Sequence, residues 1–220
     1  MGRVLARGEK VLLRDPVPSD AGAYVHWMSH GEWRSFDAPW ENEGGPITDA
    51  KAAELTQRFL AMCGEKPPHP RVRPFITTRD NLPIGWVSRY GEERFPGAWL
   101  VGIDICDDRY LNGGLGTEAL ELWIDYLFGN SDVHRLGLDT WSFNTRMAHV
   151  ARRLGFVFEG AQREVVKWQG KWLDRLHFGM LRSEWDARAG TMPLIAKRSA
   201  PADAMNVGPV SRSALTQPGS

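Results

Sequence analysis

Residues 107–120 read DDRYLNGGLGTEAL: an acidic pair, a cation and an aromatic, then three glycines in four positions, then helix-forming residues. Glycines so closely spaced let a backbone approach a partner that side chains would hold away. Before them runs AWLVGIDIC (98–106), an apolar stretch of strand composition. After them Leu120, Trp123, Ile124, Leu127 and Phe128 recur at helical spacing, with Glu118, Glu121 and Asp125 on the other face. A strand, a glycine turn and a helix N-terminus together make an anion site. The first amides of a helix lack intrahelical acceptors, and they carry the positive end of its dipole. Phosphate suits such a turn. A plain loop-to-helix connection has the same composition, so the context decides.

Working outward, VLLRD (11–15) predicts the first strand, and Ser19 and Asp20 offer N-cap chemistry for a helix through AGAYVHWM (21–28). Thr48 and Asp49 cap a second helix, which buries Ala52, Leu55, Phe59 and Met62 and stops before Pro67, Pro68 and Pro70. RPFITT (73–78) and IGWVSRY (84–90) form a hairpin around RDNLP, followed by the strand 98–106 and the glycine turn with its helix. HRLGLDTW (134–141) is a further strand. Asn144 caps a short helix that ends at Leu154–Gly155, where glycine suits the left-handed position after a helix. FVFEGAQREVVKW and KWLDRLHFGML pair around Gln169–Gly170 as a terminal hairpin. The order β-α-α-β-β-β-α-β-α-β-β describes one α/β (α+β) domain, a mostly antiparallel central sheet flanked by helices. Its span is 8–186. From Ala187 onward Ala, Ser, Pro and Gly dominate without aromatics, so residues 187–220 are expected to form a disordered tail.

Composition narrows the function. The chain has 220 residues, 42% hydrophobic and 25% charged, with a formal net charge of zero. That is the profile of a soluble globular protein without the basic footprint of a nucleic-acid or anionic-membrane binder. Cys63 and Cys106 stand apart at no zinc spacing, and the start MGRVLARGEK lacks the apolar run of a signal peptide, so a reduced, cytoplasmic setting is expected. His26 and His30 lie one helical turn apart without a third ligand nearby, and no metal is expected. Gly-x-Ser-x-Gly is absent from the sequence, which removes the usual hydrolase elbow.

Two phosphate-binding patterns compete for the turn. Gly114-x-Gly116-x-x-Ala119, with Asp139 roughly twenty residues on, satisfies the dinucleotide signature and would make the chain an oxidoreductase. That signature follows its strand at once, whereas DDRYLNG intervenes here, and no further strand-helix-strand units accompany it. The alternative is a family likeness. Leu111-Asn112-Gly113-Gly114-Leu115-Gly116, followed by Thr117-Glu118-Ala119-Leu120, resembles the (Arg/Gln)-x-x-Gly-x-(Gly/Ala) turn with which GNAT-family N-acetyltransferases bind the diphosphate of coenzyme A. Leu111 departs from the leading Arg or Gln. The likeness extends over residues 10–186 through RDNLPIGWVSRY, HRLGLDTWSFNTRMAHVARRLGFVFEG and GKWLDRLHFGMLRSEW. The ending resembles the RimJ/RimL-type subgroup, and LFGNSDVHRLGLD resembles aminoglycoside 6′-N-acetyltransferases.

The resemblance implies an acetyltransferase with acetyl-CoA as cosubstrate, a primary amine as acceptor, and direct attack in a ternary complex. It implies that residues 111–117 hold the diphosphate, that the strand edge at Ile105 and Cys106 pairs with pantetheine, and that Asn144 contacts pantetheine besides capping its helix. Transfer to an amine needs a neutral nucleophile and a polarised carbonyl, hence a general base and oriented N–H donors. Asp104, a carboxylate inside an apolar strand, and Asp139, at the end of the neighbouring strand, are the candidate bases. Relatives place a hydroxyl for the departing thiol on the last helix; Met147 and Ala151 stand at the matching positions. A catalytically silent acyl-CoA-binding or partner-binding protein is therefore the rival reading. The loop after the first helix carries Glu32, Asp37, Glu41 and Glu43 among Trp33, Phe36 and Trp40, with Arg34 as its nearby cation. Asp37, Trp40 and Glu41 are the candidate acceptor residues, because carboxylates with aromatic faces suit a cationic amine. Trp168 and Trp172 near a sheet edge point to a homodimer.

Overall fold

The computed structural model describes residues 2–41, 47–91 and 95–191. Two short strands, β1 (Val4–Arg7) and β2 (Val11–Arg14), open the chain as an antiparallel hairpin. The sequence predicts only the second. Strand β1 is four residues long, and its apolar side chains Leu5 and Ala6 find their cover only against the core beneath the glycine-turn helix. Helices α1 (Ala21–Trp27) and α2 (Asp49–Gly64) follow, then β3 (Phe75–Thr78), β4 (Pro83–Tyr90) and β5 (Ala98–Ile105). Helix α3 (Leu115–Gly129), β6 (Arg135–Trp141), α4 (Thr145–Arg153), β7 (Val157–Trp168), β8 (Lys171–Leu181) and α5 (Arg182–Thr191) complete the described strands and α-helices. Helix α5 is absent from the predicted order and runs past the boundary drawn at 186.

Among the described residues the sheet has eight strands in the order β1-β2-β3-β4-β5-β6-β8-β7. Every neighbouring pair is antiparallel except β5 and β6. A dinucleotide fold needs a doubly wound parallel sheet, so that alternative falls with the topology. The predicted stripe of α3 is buried on one face of the sheet, against Val101, Leu136 and Leu138. The other face is covered by α1 and α2 through an aromatic cluster of Trp27, Phe59, Phe75 and Trp86. Of the four residues expected to be buried on α2, Phe59 is, whereas Met62 is 44% exposed.

Local capping follows the sequence at two helices. Thr48 Oγ1 accepts from the Lys51 amide at 3.3 Å, and Asn144 Oδ1 accepts from the Met147 amide at 3.0 Å. Asp20 does something else. Its carboxylate accepts from the Val17 amide at 2.9 Å and binds both terminal nitrogens of the fully buried Arg14, at 2.6 and 2.9 Å. A buried guanidinium demands a paired charge more strongly than a helix end demands a cap. No helix among the described residues is long and apolar enough to cross a membrane.

The decisive feature is a fork. Strands β5 and β6 pair only over Ala98–Leu100 and Arg135–Gly137, although β5 continues to Ile105 and β6 to Trp141. At the junction a Cβ on Gly137 would lie 2.6 Å from Leu100 Cδ2, so the glycine makes room for the leucine where the strands part. Beyond this point both strands turn an unpaired edge into the gap.

Candidate active site

The fork opens into a cleft of about 660 Å³, lined by β5 from Val101 to Ile105 and by β6 from Leu138 to Trp141. Antiparallel ladder bonds alternate along a strand. The register of β5 on β4, with the Cys106 amide donating to Ile84 O at 2.8 Å, assigns the even-numbered residues to that ladder. The main-chain groups of Val101, Ile103 and Ile105 therefore face the fork. Cys106 does not serve as predicted. Its amide belongs to β4, its side chain is buried in the aromatic cluster, and burial pushes its thiol well above the ordinary range.

One end of the cleft is the glycine turn. Asn112 and Gly114 adopt left-handed conformations (φ 62° and 78°), and α3 begins at Leu115. The first helical amide with an acceptor is that of Glu118, which donates to Gly114 O at 3.1 Å. The amides of Leu115, Gly116 and Thr117 find no acceptor among the described residues. Uncovered amides beside a glycine backbone fit a diphosphate. Leu111, Asn112, Gly114, Gly116 and Thr117 line the cleft together with Asn144. Gly113 and Leu115 belong to the turn without lining it: the Gly113 carbonyl accepts from Lys10, and Leu115 packs against the core. Gly116 has a packing role as well, since a Cβ there would lie 3.4 Å from Ile105 Cγ1.

The opposite end lies on the α1/α2 face of the sheet. Strand alternation sends Val101, Ile103 and Ile105 toward α3 and Gly102 and Asp104 to the other side, where Trp86, Ser88 and Tyr90 of β4 join them. Asp104 thus lines the cleft, while Arg109 nearby in sequence pairs with Asp107. Burial raises the Asp104 carboxyl to about 7, helped by the charge of Asp37; a hydrogen bond from Trp86 and the Arg73 charge act in the other direction. The Tyr90 hydroxyl is also raised, by burial first and then by the charge of Asp139.

Asp139 lines the same cleft but is engaged. One oxygen accepts from Arg175 at 2.5 Å and the other faces His177 Nδ1 at 2.8 Å. The two candidate bases are therefore unequal. Asp104 sits desolvated beside a like charge, while Asp139 is held by two neighbours on β8.

The loop after α1 overhangs this end. The Glu32 amide donates to Asp108 at 2.8 Å, and the Glu32 carboxylate pairs with Arg146 of α4 at 3.1 Å. Trp33 meets Trp86 edge-on with centroids 5.3 Å apart, and Trp40 meets Trp141 at 4.5 Å. Trp40 thus supports a cleft wall through Trp141, while Asp37 lines the cleft itself. The Glu41 side chain and Glu43 lie outside the described residues. Tyr90, Arg73 and Trp86 escaped sequence reading. Their period-two placement in and beside β4 was the available signal, but nothing local tells which face of that strand meets the cleft. Of the positions where relatives carry a hydroxyl, Met147 lines the cleft and Ala151 is fully buried; Ser88, Tyr90, Tyr110, Thr117 and Thr140 bring hydroxyl-bearing side chains to its wall.

Comparison with known proteins agrees with this geometry. The family model described as "Acetyltransferase (GNAT) domain" matches residues 10–157. The uncharacterized N-acetyltransferase YokL of Bacillus subtilis is 23% identical over 111 residues, 50% of this chain, and the chain spans only 62% of that relative's length. Aminoglycoside N(6′)-acetyltransferase type 1 of Klebsiella pneumoniae is 25% identical over 166 residues, covering 69% of this chain and 76% of the relative. Among solved structures, RimL, a ribosomal L7/L12 α-N-protein acetyltransferase in complex with coenzyme A, superimposes with a TM-score of 0.63 at 17% identity, covering 83% of this chain and 99% of that one. The strand fork, the glycine turn opposite it and the match over residues 10–157 place this chain in the GNAT acetyltransferase domain family.

Proposed function

We propose that this protein transfers an acetyl group from acetyl-CoA to a cationic primary amine by direct attack, with Asp104 as the general base. Acetyl-CoA supplies an activated thioester. The amides of Leu115, Gly116 and Thr117 hold its diphosphate, with Leu111, Asn112 and Gly114 as the walls of the turn. The free edge of β5 at Ile103 and Ile105 takes the pantetheine amides and directs N–H groups at the carbonyl oxygen. Asn144 flanks this channel. Asp37 and the indoles of Trp33, Trp86 and Trp141 hold the acceptor as an ammonium, and Asp104 removes its proton so that the neutral amine attacks the thioester carbonyl. The C–S bond then breaks, and the departing thiolate takes the remaining proton that the nitrogen sheds, which leaves the amide and free coenzyme A. A base with a pKa near 7 is matched to operation near neutral pH.

The observation that carries the reading is the position of Asp104, a desolvated carboxyl across the fork from an uncovered helix N-terminus. The acceptor classes that suit it are a basic peptide N-terminus, a polyamine and an aminoglycoside. The test is thiol release from acetyl-CoA against a panel of cationic and neutral amines, with acetyl-CoA affinity measured by calorimetry. Turnover on cationic amines supports the reading. Binding without turnover on any amine would leave the silent acyl-CoA-binding alternative.

The same reading includes a cytoplasmic homodimer. Trp172, 55% exposed, and Val165 lie on the terminal hairpin, whereas Trp168 packs back against Phe143 with centroids 6.0 Å apart. Pairing then uses the hairpin face, since the β7 edge is broken by two register shifts and dotted with charge. A monomer by light scattering at micromolar concentration would overturn it.

A further inference from the structure

The glycine turn lacks a cation of its own. Residues 111–117 are all uncharged, so their amides could bind a diphosphate but not neutralise it. A lysine arrives from a distant part of the chain. Lys10, in the turn between β1 and β2, directs its Nζ across to donate to Gly113 O at 3.0 Å. The same ammonium would lie 3.4 Å from a Cβ on Gly114, the left-handed residue that lines the cleft. Among the described residues no other lysine or arginine is hydrogen-bonded to this turn. Arg73, Arg146 and Arg153 line the cleft, but none of them is hydrogen-bonded to the turn among the described residues, and Arg146 is paired with Glu32.

The placement is built rather than incidental. The Lys10 amide donates to both oxygens of Glu118, in the first turn of α3, at 3.0 and 3.2 Å. Gly8 permits that approach, because a Cβ there would overlap Glu118 Oε1. Arg79 closes the far side by donating to Gly8 O at 2.6 Å. The backbone of the β1–β2 turn is thus tied to α3 and to the β3–β4 turn. The long, flexible side chain of Lys10 remains able to swing from a neutral carbonyl to a phosphate oxygen, a stronger acceptor. Glu118 faces the Lys10 amide, so its charge is partly engaged on the outer flank of the helix.

We propose that Lys10 supplies the cation of the coenzyme's diphosphate site, a role that rests on the acetyl-CoA reading above. The test compares wild type with Lys10→Met and Lys10→Arg by calorimetry, using coenzyme A and dephospho-coenzyme A, and by turnover of S-acetylpantetheine, which carries no phosphate. Loss of one charge-assisted hydrogen bond should weaken both coenzymes about tenfold in Lys10→Met. Lys10→Arg should recover most of that loss, and turnover of S-acetylpantetheine should not change. Equal affinity of Lys10→Met and wild type for coenzyme A would overturn the proposal. So would an equal loss on S-acetylpantetheine, which would mark a structural role. A loss seen with coenzyme A but not with dephospho-coenzyme A would move the contact to the 3′-phosphate and overturn the diphosphate assignment. Failure of wild type to bind coenzyme A at all would instead remove the acetyl-CoA reading itself.

Discussion

The Asp37 charge raises the proton affinity of Asp104, adding to the effect of burial on a carboxyl that reaches about 7. Both side chains line the cleft, Asp37 from the loop after α1 and Asp104 from the free half of β5. As a base Asp104 must be ionised, so kcat/KM should climb with pH through about 7. Asp37→Asn removes one of the two raising influences, and the acidic limb should then move to lower pH while the acceptor KM increases. A limb that stays in place, measured between pH 5 and 9, would separate the two carboxylates.

Asp104→Asn should lower kcat at saturating substrates by about 100- to 10,000-fold, the range attributed to a positioned general base, without altering acetyl-CoA affinity. Asp139→Asn should act differently, because Asp139 is bound to Arg175 and His177. It is expected to loosen β6 against β8 and lower the melting temperature more than it lowers kcat. Reversed rankings would make Asp139 the base.

A stability effect of Asp104 follows with a definite sign. Its pKa is raised from 3.8 to about 7 by folding, so the native state binds the proton more tightly than the unfolded chain. That contribution is fully present below the unfolded value and is lost as pH rises through about 7. Asp104→Asn should therefore stabilise the protein above pH 7, on the order of 1–3 kcal/mol after allowance for solvent in the cleft, and much less at pH 4. Denaturant titrations at pH 5 and 8 would read this difference.

Gly114 and Gly116 should fail in distinct ways. Gly114→Val imposes a branched side chain on a left-handed backbone (φ 78°), straining the turn at the mouth of the proposed diphosphate site. Gly116→Val pushes against Ile105, so α3 is levered from β5 and unfolding should begin at lower denaturant. Gly116→Ala, which adds a methyl group at an ordinary 3.4 Å contact, should fold and retain acetyl-CoA binding. Loss of binding by a well-folded Gly116→Ala variant would contradict this division.

Removing the partner of a buried charge is costly, and Asp20→Ala should destabilise by about 3–5 kcal/mol by leaving Arg14 uncompensated. Asn81, whose Oδ1 accepts from Arg14 Nε at 2.7 Å, cannot replace the charge. The double variant Arg14→Met with Asp20→Leu should recover much of the loss in urea titration. If the single variant matches wild type, the pair is dispensable.

What the sequence determined by itself is what depends on residues a few positions apart. The α3 stripe, the Thr48 and Asn144 caps, the left-handed Gly155 and the Gln169–Gly170 turn are all set by local sterics and local hydrogen bonds. So were the uncovered amides of the glycine turn, since N–H groups at a helix start need no distant partner to be left free. The tertiary structure decided everything that couples distant segments. Strand β1 exists because β2 and α3 cover it, and Asp20 left its helix for a buried arginine six residues back. Asp139 was claimed by residues 36 and 38 positions away, and Lys10 met Gly113 across 103 positions. Asp104 became a base candidate only when the parting of β5 from β6 left it in a desolvated wall beside Asp37. Alternation assigns a side chain to one face or the other, but which face meets water, charge or a cleft is set by what packs there.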